Sequence, residues 1–287
     1  MTVINTLPGV PTPLAHQMNI DMRYQPTSNN RYLGKIRLNC TMMYVARFGL
    51  TCPTFICELY NIRKTQALEH LNRLVKLKLL DKVISHRSVD HRVYVLTHSG
   101  AKHAEQLLQQ QVHFRSSPQP AKQVNLNTLM HDLICQFVMA TGIQNTNKDG
   151  AYAPLWTGFV TEKEFRRLYP QSAIRNVDGL VKLTDNSICA VDIEHSFKSV
   201  ATRRTILLKY LSALKEGLYE KVFLFSQSED ILTDIRRINS QLLYSLSTTR
   251  KKKSGEFVIT NEDKAILEDK LIYRTKLCDQ IERMFYE

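Results

Sequence analysis

The chain has 287 residues, of which 43% are hydrophobic and 23% are charged, and this balance indicates a globular protein of about two domains. It contains no run of about 18 apolar residues, and its N-terminus lacks the basic start and apolar core of a secretory signal. We therefore expect a cytoplasmic protein with no membrane insertion. The net charge of +12 favours a polyanionic partner, and nucleic acid is favoured over a membrane because no long basic amphipathic helix with bulky aromatic residues is present.

The first segments of the chain are an irregular stretch and then a patterned region. Residues 1–38 contain four of the nine prolines and little periodicity, so we interpret them as an arm or an irregular wrap and assign them no regular structure. Residues 39–114 are predicted to form three helices, a β-hairpin around HRSVDH and a further helix, since apolar residues recur first at helical spacing and then in alternation. This order is typical of a winged helix-turn-helix, whose third helix enters the major groove of DNA.

The candidate DNA contacts lie at the start of the predicted third helix and at the tip of the hairpin. Side chains of these types bind phosphates and base edges. The alternative is a winged helix that contacts protein, with these charges on a solvated face. The candidates are Arg63, Lys64, Thr65, Gln66, Arg87 and Arg92.

A polar break at residues 115–123 separates this region from a second one at residues 124–246. The second region predicts a helix, a short helix, a strand pair, a helix, a strand and a helix, which together suggest a mixed sheet flanked by helices. Residues 256–287 are predicted to form a C-terminal helix with Asn261 as its N-cap. The chain as a whole is predicted to belong to the α/β (α+β) class.

The cysteines are scattered through apolar stretches and form no CxxC pair. This spacing argues against a structural zinc site and gives no support to a disulfide framework. We interpret them as small core residues of a protein in a reducing compartment. They are Cys40, Cys52, Cys57, Cys135, Cys189 and Cys278.

The predicted hairpin at residues 174–194 carries three carboxylates among apolar residues. Asp192 and Glu194 share a strand face, because residues two apart in a strand point the same way. An odd-numbered loop between the strands, or a bulge, places the apolar residues of both strands on one face, because opposed residues in a hairpin share a face. The same parity brings Asp178 beside Asp192 or Glu194. The hydrophobic pattern therefore predicts that the three acids converge.

Three clustered carboxylates repel one another unless a cation lies among them, and oxygen ligands suit Mg²⁺ or Mn²⁺. We therefore predict that Asp178, Asp192 and Glu194 hold such an ion, the alternative being a solvated face of an antiparallel sheet. Beside a DNA-binding unit this ion suggests phosphodiester cleavage, because it would polarise the phosphate and lower the pKa of an attacking water. His131 is a candidate acid, base or further ligand, or else a hydrogen-bonded core residue.

This arrangement resembles the Asp…(Asp/Glu)-x-Lys core of restriction-endonuclease-like nucleases, with Glu194 in the usual lysine position. The order of elements resembles the replication-relaxation family, which includes the MobC-type relaxases of mobilizable plasmids. The resemblance covers about residues 40–245. The segments that carry it are LMHDL around His131, TEKEFRR (161–167), RNVDGLVKL around Asp178, VDIEHS with Asp192 and Glu194, LKYLSAL with Lys209 and Tyr210, and KVFLFSQSEDILTDIRRIN.

The resemblance implies a bacterial protein in which a winged helix is joined to a nuclease-like domain. It implies nicking of one DNA strand at a plasmid transfer origin, in partnership with an accessory relaxosome protein and a coupling protein. Carried over residue by residue, it makes Asp178, Asp192 and Glu194 the metal ligands, with His131, Lys209 and Tyr210 assisting. Asp192 stands where the family tends to have Glu, and the absent lysine leaves the transition-state cation unassigned.

Three rival readings stay open at this point. Tyr210 could attack DNA and remain covalently attached, although the sequence shows no histidine cluster of the kind that tyrosine relaxases use. The chain could be a non-catalytic replication initiator or transcriptional repressor. It could also be a restriction-type enzyme that cuts both strands.

Overall fold

The structure, a computed structural model, describes residues 14–114, 119–170, 174–195, 197–250 and 255–287. The first part of the predicted arm (1–13) and part of the predicted polar break (115–118) lie outside the described residues. The described residues form a mixed α/β fold with a two-stranded and a five-stranded sheet. None of the helices in these ranges has both the length and the apolar character needed to cross a membrane.

After the one-turn helix α1, the N-terminal half has the predicted order of three helices, a hairpin and a helix. Its elements are α1 (Ala15–Met18), α2 (Asn30–Phe48), α3 (Pro53–Tyr60), α4 (Lys64–Lys76), β1 (Leu80–Ile84), β2 (Arg92–Leu96) and α5 (His98–Leu108). Asn61 ends α3 in the left-handed conformation and turns the chain towards α4. Leu71 and Leu74 are buried on the inner face of α4, as the helical spacing predicts.

The prediction that residues 1–38 lack regular structure is wrong for residues 15–18, which form α1, and for residues 30–38, which form the first half of α2. Asn29 starts this helix, because its side chain accepts hydrogen bonds from the backbone N–H groups of Arg31 and Tyr32. Apolar and polar residues are spread around α2 without one apolar stripe, so periodicity does not reveal it. Leu14 and Met18 are also buried, against the five-stranded sheet.

The C-terminal half builds the five-stranded sheet in the order β3-β4-β5-β6-β7. Pairing is antiparallel from β3 to β5 and parallel from β5 to β7, and α8 makes the crossover between the parallel strands β5 and β6. The elements are α6 (Leu129–Gln144), β3 (Gly158–Thr161), α7 (Glu162–Leu168), β4 (Gly179–Lys182), β5 (Ile188–Ile193), α8 (Val200–Lys215), β6 (Lys221–Phe225), α9 (Glu229–Thr248), α10 (Asn261–Lys270), β7 (Leu271–Tyr273) and α11 (Cys278–Phe285).

The prediction of a single C-terminal helix at residues 256–287 is wrong. Thr260, not Asn261, caps α10, and its side chain accepts a hydrogen bond from the backbone N–H of Asp263. The chain then enters β7, which pairs with the edge of β6 and buries Leu271 in the sheet's core. The apolar residues that suggest one helical stripe are therefore divided between a helix, a strand and a second helix.

The register of the hairpin confirms the odd-numbered loop. Gly179 pairs with Val191, so one step further along the ladder Asp178 lies opposite Asp192. The backbone N–H of Leu183 donates to the carbonyl of Ser187 at 2.9 Å, which leaves residues 184–186 as the loop. The two strands thus bring two of the three predicted acids together.

Both faces of the five-stranded sheet are covered. One face, including Val191 and Phe223, packs with α6 and α11 in a core that continues into the N-terminal helices. The other face, including Ala190 and Val222, packs with α8, α9 and α10. The strand that carries Asp192 therefore has no solvated face.

Candidate functional site

The centre of the site is a pair of facing carboxylates where β4 begins and β5 ends. Asp178 and Asp192 are only 7% and 1% exposed, so the solvated sheet face considered above does not describe them. The backbone N–H of Ile193 donates to Asp178 Oδ2 at 2.6 Å. Burial, followed by the negative charge of Asp192, raises the pKa of Asp178 to about 7.

Asp192 is neutralised by an arginine from the segment that precedes β4. Arg175 donates to Asp192 Oδ2 through Nε at 3.0 Å and through Nη2 at 2.7 Å. The Tyr210 hydroxyl on α8 donates to the same oxygen. Burial is the largest single effect and raises the pKa of Asp192, but Arg175, Lys198 and the Tyr210 hydroxyl together outweigh it and hold the pKa below its ordinary value.

Glu194 is fully buried and has its own cations. Arg203 on α8 donates to its two carboxylate oxygens at 2.6 and 3.2 Å, and Lys198 donates to Oε2 at 2.5 Å. A buried carboxylate needs such compensation, because leaving it unpaired in a low-dielectric interior is costly. The third predicted acid is therefore neutralised on the α8 side of the site and does not share a protein cation with Asp178.

The other side of Asp178 faces α6. His131 Nε2 lies 3.0 Å from Asp178 Oδ1 and 3.4 Å from the sulfur of Cys135, which is one helical turn further along α6. His131 Nδ1 lies 3.0 Å from Nε2 of His195. Burial, and then the neighbouring His131, lower the pKa of His195, while burial raises the pKa of the Cys135 thiol to about 12.

Within the described residues, one group of histidine, cysteine and acidic side chains has the proximity needed to hold a metal ion. His131, Cys135 and Asp178 each offer one ligand atom, and these atoms lie within 4.8 Å of one another. The predicted trio of Asp178, Asp192 and Glu194 is not such a group. The structure thus brings Asp178 together with an imidazole and a thiol, while Asp192 and Glu194 face arginines.

A small cleft with a volume of about 20 Å³, room for about one water molecule, lies beside this group between the two halves of the fold. Arg47 and Phe48 at the end of α2 and Lys163 on α7 form part of its wall, and it reaches Cys135 and Asp178. Of the three predicted acids, Asp178 is the one that lines the cleft.

The remaining predicted site residues lie on α8. Tyr210 is 1% exposed and is directed at Asp192. Lys209 precedes it on the same helix and is half-buried. Four residues that contact the predicted ones are not predicted from the sequence. For Cys135 the sequence does hold an indication, because a residue four positions after a histidine shares its helix face. The four are Cys135, Arg175, His195 and Arg203.

The predicted DNA contacts fall into two groups. Arg63, Thr65 and Gln66 are exposed at the start of α4, where the Gln66 side chain accepts a hydrogen bond from the backbone N–H of Arg63 at 3.1 Å. The other three contact the protein itself, which limits what they offer to a partner. Lys64 pairs with the buried Asp90 at 2.7 Å, Arg87 donates to Asn127 at 2.7 Å, and Arg92 donates to the carbonyl of Asp90 at 3.2 Å.

In comparisons with protein-family models, curated proteins and solved structures, the chain has no match.

Proposed function

We propose that this protein binds DNA through its N-terminal half and cuts one strand by hydrolysis at the site around Asp178. The observation that carries the proposal is the meeting of Asp178 with Asp192 across the hairpin and with His131 by a hydrogen bond, next to a small cleft between the halves. The site also lies at the carboxyl ends of the parallel strands β5 and β6, which is where open α/β sheets commonly place their ligands.

DNA binding is proposed for the winged-helix arrangement that the N-terminal half suggests. In such a unit α4 is the helix that enters the major groove, and Arg63, Thr65 and Gln66 are exposed at its start. The net charge of +12 supports a polyanionic partner. The other predicted contacts are assigned to the DNA backbone in this proposal, and each of them also contacts the protein itself. They are Lys64, Arg87 and Arg92.

Strand cleavage needs positive charge beside the phosphate and groups that pass on a proton. We propose Arg175 and Lys198 as the source of this charge in the role of the missing lysine, because their side chains are 21% and 22% exposed. Asp178 and His131 are joined by a hydrogen bond, so a proton can pass between them. Lys209, which precedes Tyr210 on α8, keeps in this proposal the assisting role that the resemblance gives it.

The Mg²⁺ or Mn²⁺ ion predicted from the sequence does not fit the three carboxylates as they are arranged. Asp192 and Glu194 are held by Arg175 and Arg203, and those guanidinium groups would have to leave before an ion could take their place. Asp178 alone among the three contacts further metal-ligating side chains.

The more specific proposal is a relaxase that nicks a plasmid transfer origin. It is supported by the resemblance to the replication-relaxation family and by the convergence of Asp178 and Asp192. The same resemblance supports an accessory relaxosome protein and a coupling protein as partners, and a bacterial source.

The test is nicking of a supercoiled plasmid that carries the DNA flanking the protein's own gene, with Mg²⁺, Mn²⁺ and Zn²⁺ supplied separately. We expect wild-type protein to give open-circular DNA and Asp178→Asn to lose at least about 100-fold in rate, as loss of a catalytic group commonly does. Asp185→Asn is the matched control, because it makes the same change in the exposed hairpin loop and should cut normally. Nicking that survives Asp178→Asn would contradict the proposal, and linear product would point to cleavage of both strands.

Tyr210→Phe tests the covalent alternative. Because the Tyr210 hydroxyl is buried and donates to Asp192, we expect no protein-linked DNA on denaturing gels and continued nicking by the variant. A protease-sensitive DNA adduct that disappears in Tyr210→Phe would establish the tyrosine route instead.

A non-catalytic initiator or repressor is the second candidate, and one observation favours it. Asp192 and Glu194 both have arginine partners, which is the arrangement of a buried ionic network that holds the segment before β4 and α8 against the sheet. Tight, sequence-specific DNA binding with no nicking in Mg²⁺, Mn²⁺ or Zn²⁺ would favour this candidate over the nicking enzyme.

A further inference from the structure

We propose that His131, Cys135 and Asp178 form a binding site for a thiophilic divalent transition ion of the Zn²⁺ class. The three side chains meet from two rigid elements, since His131 and Cys135 are one turn apart on α6 and Asp178 precedes β4. The inference concerns the site of the proposed function, yet it does not require that the protein cut DNA.

The donor atoms are spaced as an ion of this kind requires. His131 Nε2 lies 3.4 Å from the Cys135 sulfur and 3.0 Å from Asp178 Oδ1, and all three donors are within 4.8 Å of one another. Zinc binds sulfur at about 2.3 Å and nitrogen or oxygen at about 2.0–2.2 Å, so donors around one tetrahedral ion stand roughly 3.3–3.8 Å apart. Shifts of a few tenths of an ångström to about one ångström bring the present positions to this geometry.

The atoms behind these donors are already fixed. His131 Nδ1 contacts His195 Nε2 at 3.0 Å, which leaves Nε2 of His131 directed at Cys135 and Asp178. Asp178 Oδ2 accepts the backbone N–H of Ile193, which leaves Oδ1 for the ion. Metal-binding histidines and carboxylates depend on such supporting hydrogen bonds, which set the ring orientation and the free electron pairs.

The kind of ion follows from the donor set. Mg²⁺ prefers an octahedral shell of oxygens, whereas a thiolate, an imidazole and a carboxylate together suit Zn²⁺ and related ions. Three protein ligands leave a fourth position, and both Cys135 and Asp178 line the cleft. The cleft has room for about one water molecule at this position, so the arrangement is that of a zinc site with an open fourth position, as opposed to a closed structural site.

Cys135 has a different role in this site from the one that its spacing in the sequence suggests. The sequence offers no CxxC pair, which is why the spacing argues against a structural zinc site; the structure assigns Cys135 to a ligand set completed from elsewhere in the chain. Coordination replaces the thiol proton with the ion, so binding near neutral pH releases about one proton to the buffer from this residue.

Cobalt provides the direct test, because a thiolate bound to Co²⁺ gives a sulfur-to-metal absorption band in the near ultraviolet. The full-length protein is stripped of metal with a chelator and titrated with Co²⁺ alone. We expect one ion per chain, a sulfur-to-cobalt band, and displacement of Co²⁺ by Zn²⁺ but not by excess Mg²⁺, in line with the order of divalent-ion affinities.

Two cysteine variants locate the ligand. Cys135→Ser should lose the band, while Cys189→Ser, which alters a cysteine buried in the core, should keep it. His195→Asn should weaken Co²⁺ binding by about 10–100-fold, because His195 only supports a ligand. Circular dichroism of each variant verifies that the fold is retained.

Three outcomes would contradict the proposed metal site. Wild-type protein that binds no Co²⁺ or Zn²⁺, or a band that survives Cys135→Ser, removes Cys135 from the site. Binding of Mn²⁺ but not Zn²⁺, lost in Asp192→Asn, would restore the three-carboxylate site in its place. The readout is absorption and not cleavage, so the two proposals are tested separately. If nicking is absent, the metal-binding result is unaffected. If metal binding is absent, the nicking assay still tests the proposed function.

Discussion

At the scale of single residues, each of the three buried acids of the site has a cationic or imidazole partner beside it. Asp192 has Arg175, Glu194 has Arg203 and Lys198, and Asp178 has His131. Removing one member of such a pair leaves the other unpaired in a low-dielectric interior, which is costlier than losing both. Asp178 differs from the other two acids in that its partner is an imidazole that is itself 17% exposed.

The cost of burying a group that titrates near neutral pH can be measured at His70, which lies away from this site. Its Nε2 lies 2.9 Å from the Thr41 hydroxyl, and burial, followed by the charges of Arg37 and Arg73, lowers its pKa from 6.5 to about 4. A histidine whose pKa is lower in the folded state stabilises the fold less as the pH falls, because the unfolded chain takes up the proton first. The effect begins near pH 6.5 and is complete near pH 4.

We therefore expect wild-type protein to lose about 2 kcal/mol of unfolding free energy from this residue between pH 7.5 and pH 5. His70→Gln keeps a hydrogen-bonding side chain that does not titrate, and should remove this share of the pH dependence in urea unfolding. His86→Gln, at an exposed histidine of the hairpin loop, is the control and should leave the pH dependence unchanged. Equal pH dependence in wild type and His70→Gln would show that this residue is not buried as the structure has it.

At the scale of elements, the start of α4 is the surface on which the proposed DNA binding depends. Arg63 is exposed there, and its side chain can reach a phosphate or a base edge. We expect Arg63→Ala to weaken DNA binding and, if the contact is to phosphate, to reduce by about 1 the slope of log affinity against log salt. The measurement is fluorescence anisotropy with a labelled duplex across a salt series.

The control for this prediction is Arg237→Ala on α9. Arg237 is an exposed arginine in an ion pair with Asp234, so it removes the same charge from a different part of the molecule. An equal loss of affinity in both variants would show that binding follows the net charge alone and that α4 has no special role.

The elements also show what a sequence pattern can and cannot predict. Alternating apolar residues predict the hairpin and its odd loop, because period-two patterns determine strand faces locally. They do not predict Arg175 or Arg203 as partners of the acids, because these contacts depend on how distant segments come together. The sequence does not predict β7 for the same reason. Leu271–Tyr273 forms a strand because it pairs with the edge of β6.

At the scale of the whole molecule, the two halves share more than the cleft. One hydrophobic core runs from the N-terminal helices through α6 to a face of the five-stranded sheet. A buried ion pair joins the halves as well: Arg47 on α2 donates to both oxygens of Glu164 on α7 at 2.9 and 2.8 Å, and to the carbonyl of Phe159 at 2.6 Å. The wall of the cleft beside Asp178 is thus held in place by Arg47.

Because the core is continuous, we expect the described halves to unfold together. Trp156, the single tryptophan, is buried beside α6 and donates to the carbonyl of Met139, so its fluorescence reports on the C-terminal half. Arg47→Met should lower the free energy of unfolding by about 3–5 kcal/mol, because it leaves Glu164 buried without its cation. Fluorescence and circular dichroism should show one coincident transition in urea for wild-type protein.

The double variant Arg47→Met/Glu164→Gln separates the ion pair from the packing. It removes the stranded charge, so it should recover part of what Arg47→Met loses, since replacing both members of a buried pair costs less than breaking it. Lys102→Met breaks the exposed pair with Glu105 and should lower the stability far less than Arg47→Met does, because solvent screens an exposed pair. Two separate transitions in wild-type protein, or a double variant as unstable as Arg47→Met, would mean that the pair does not join the halves, and the cleft that leads to Asp178 would lose its fixed wall.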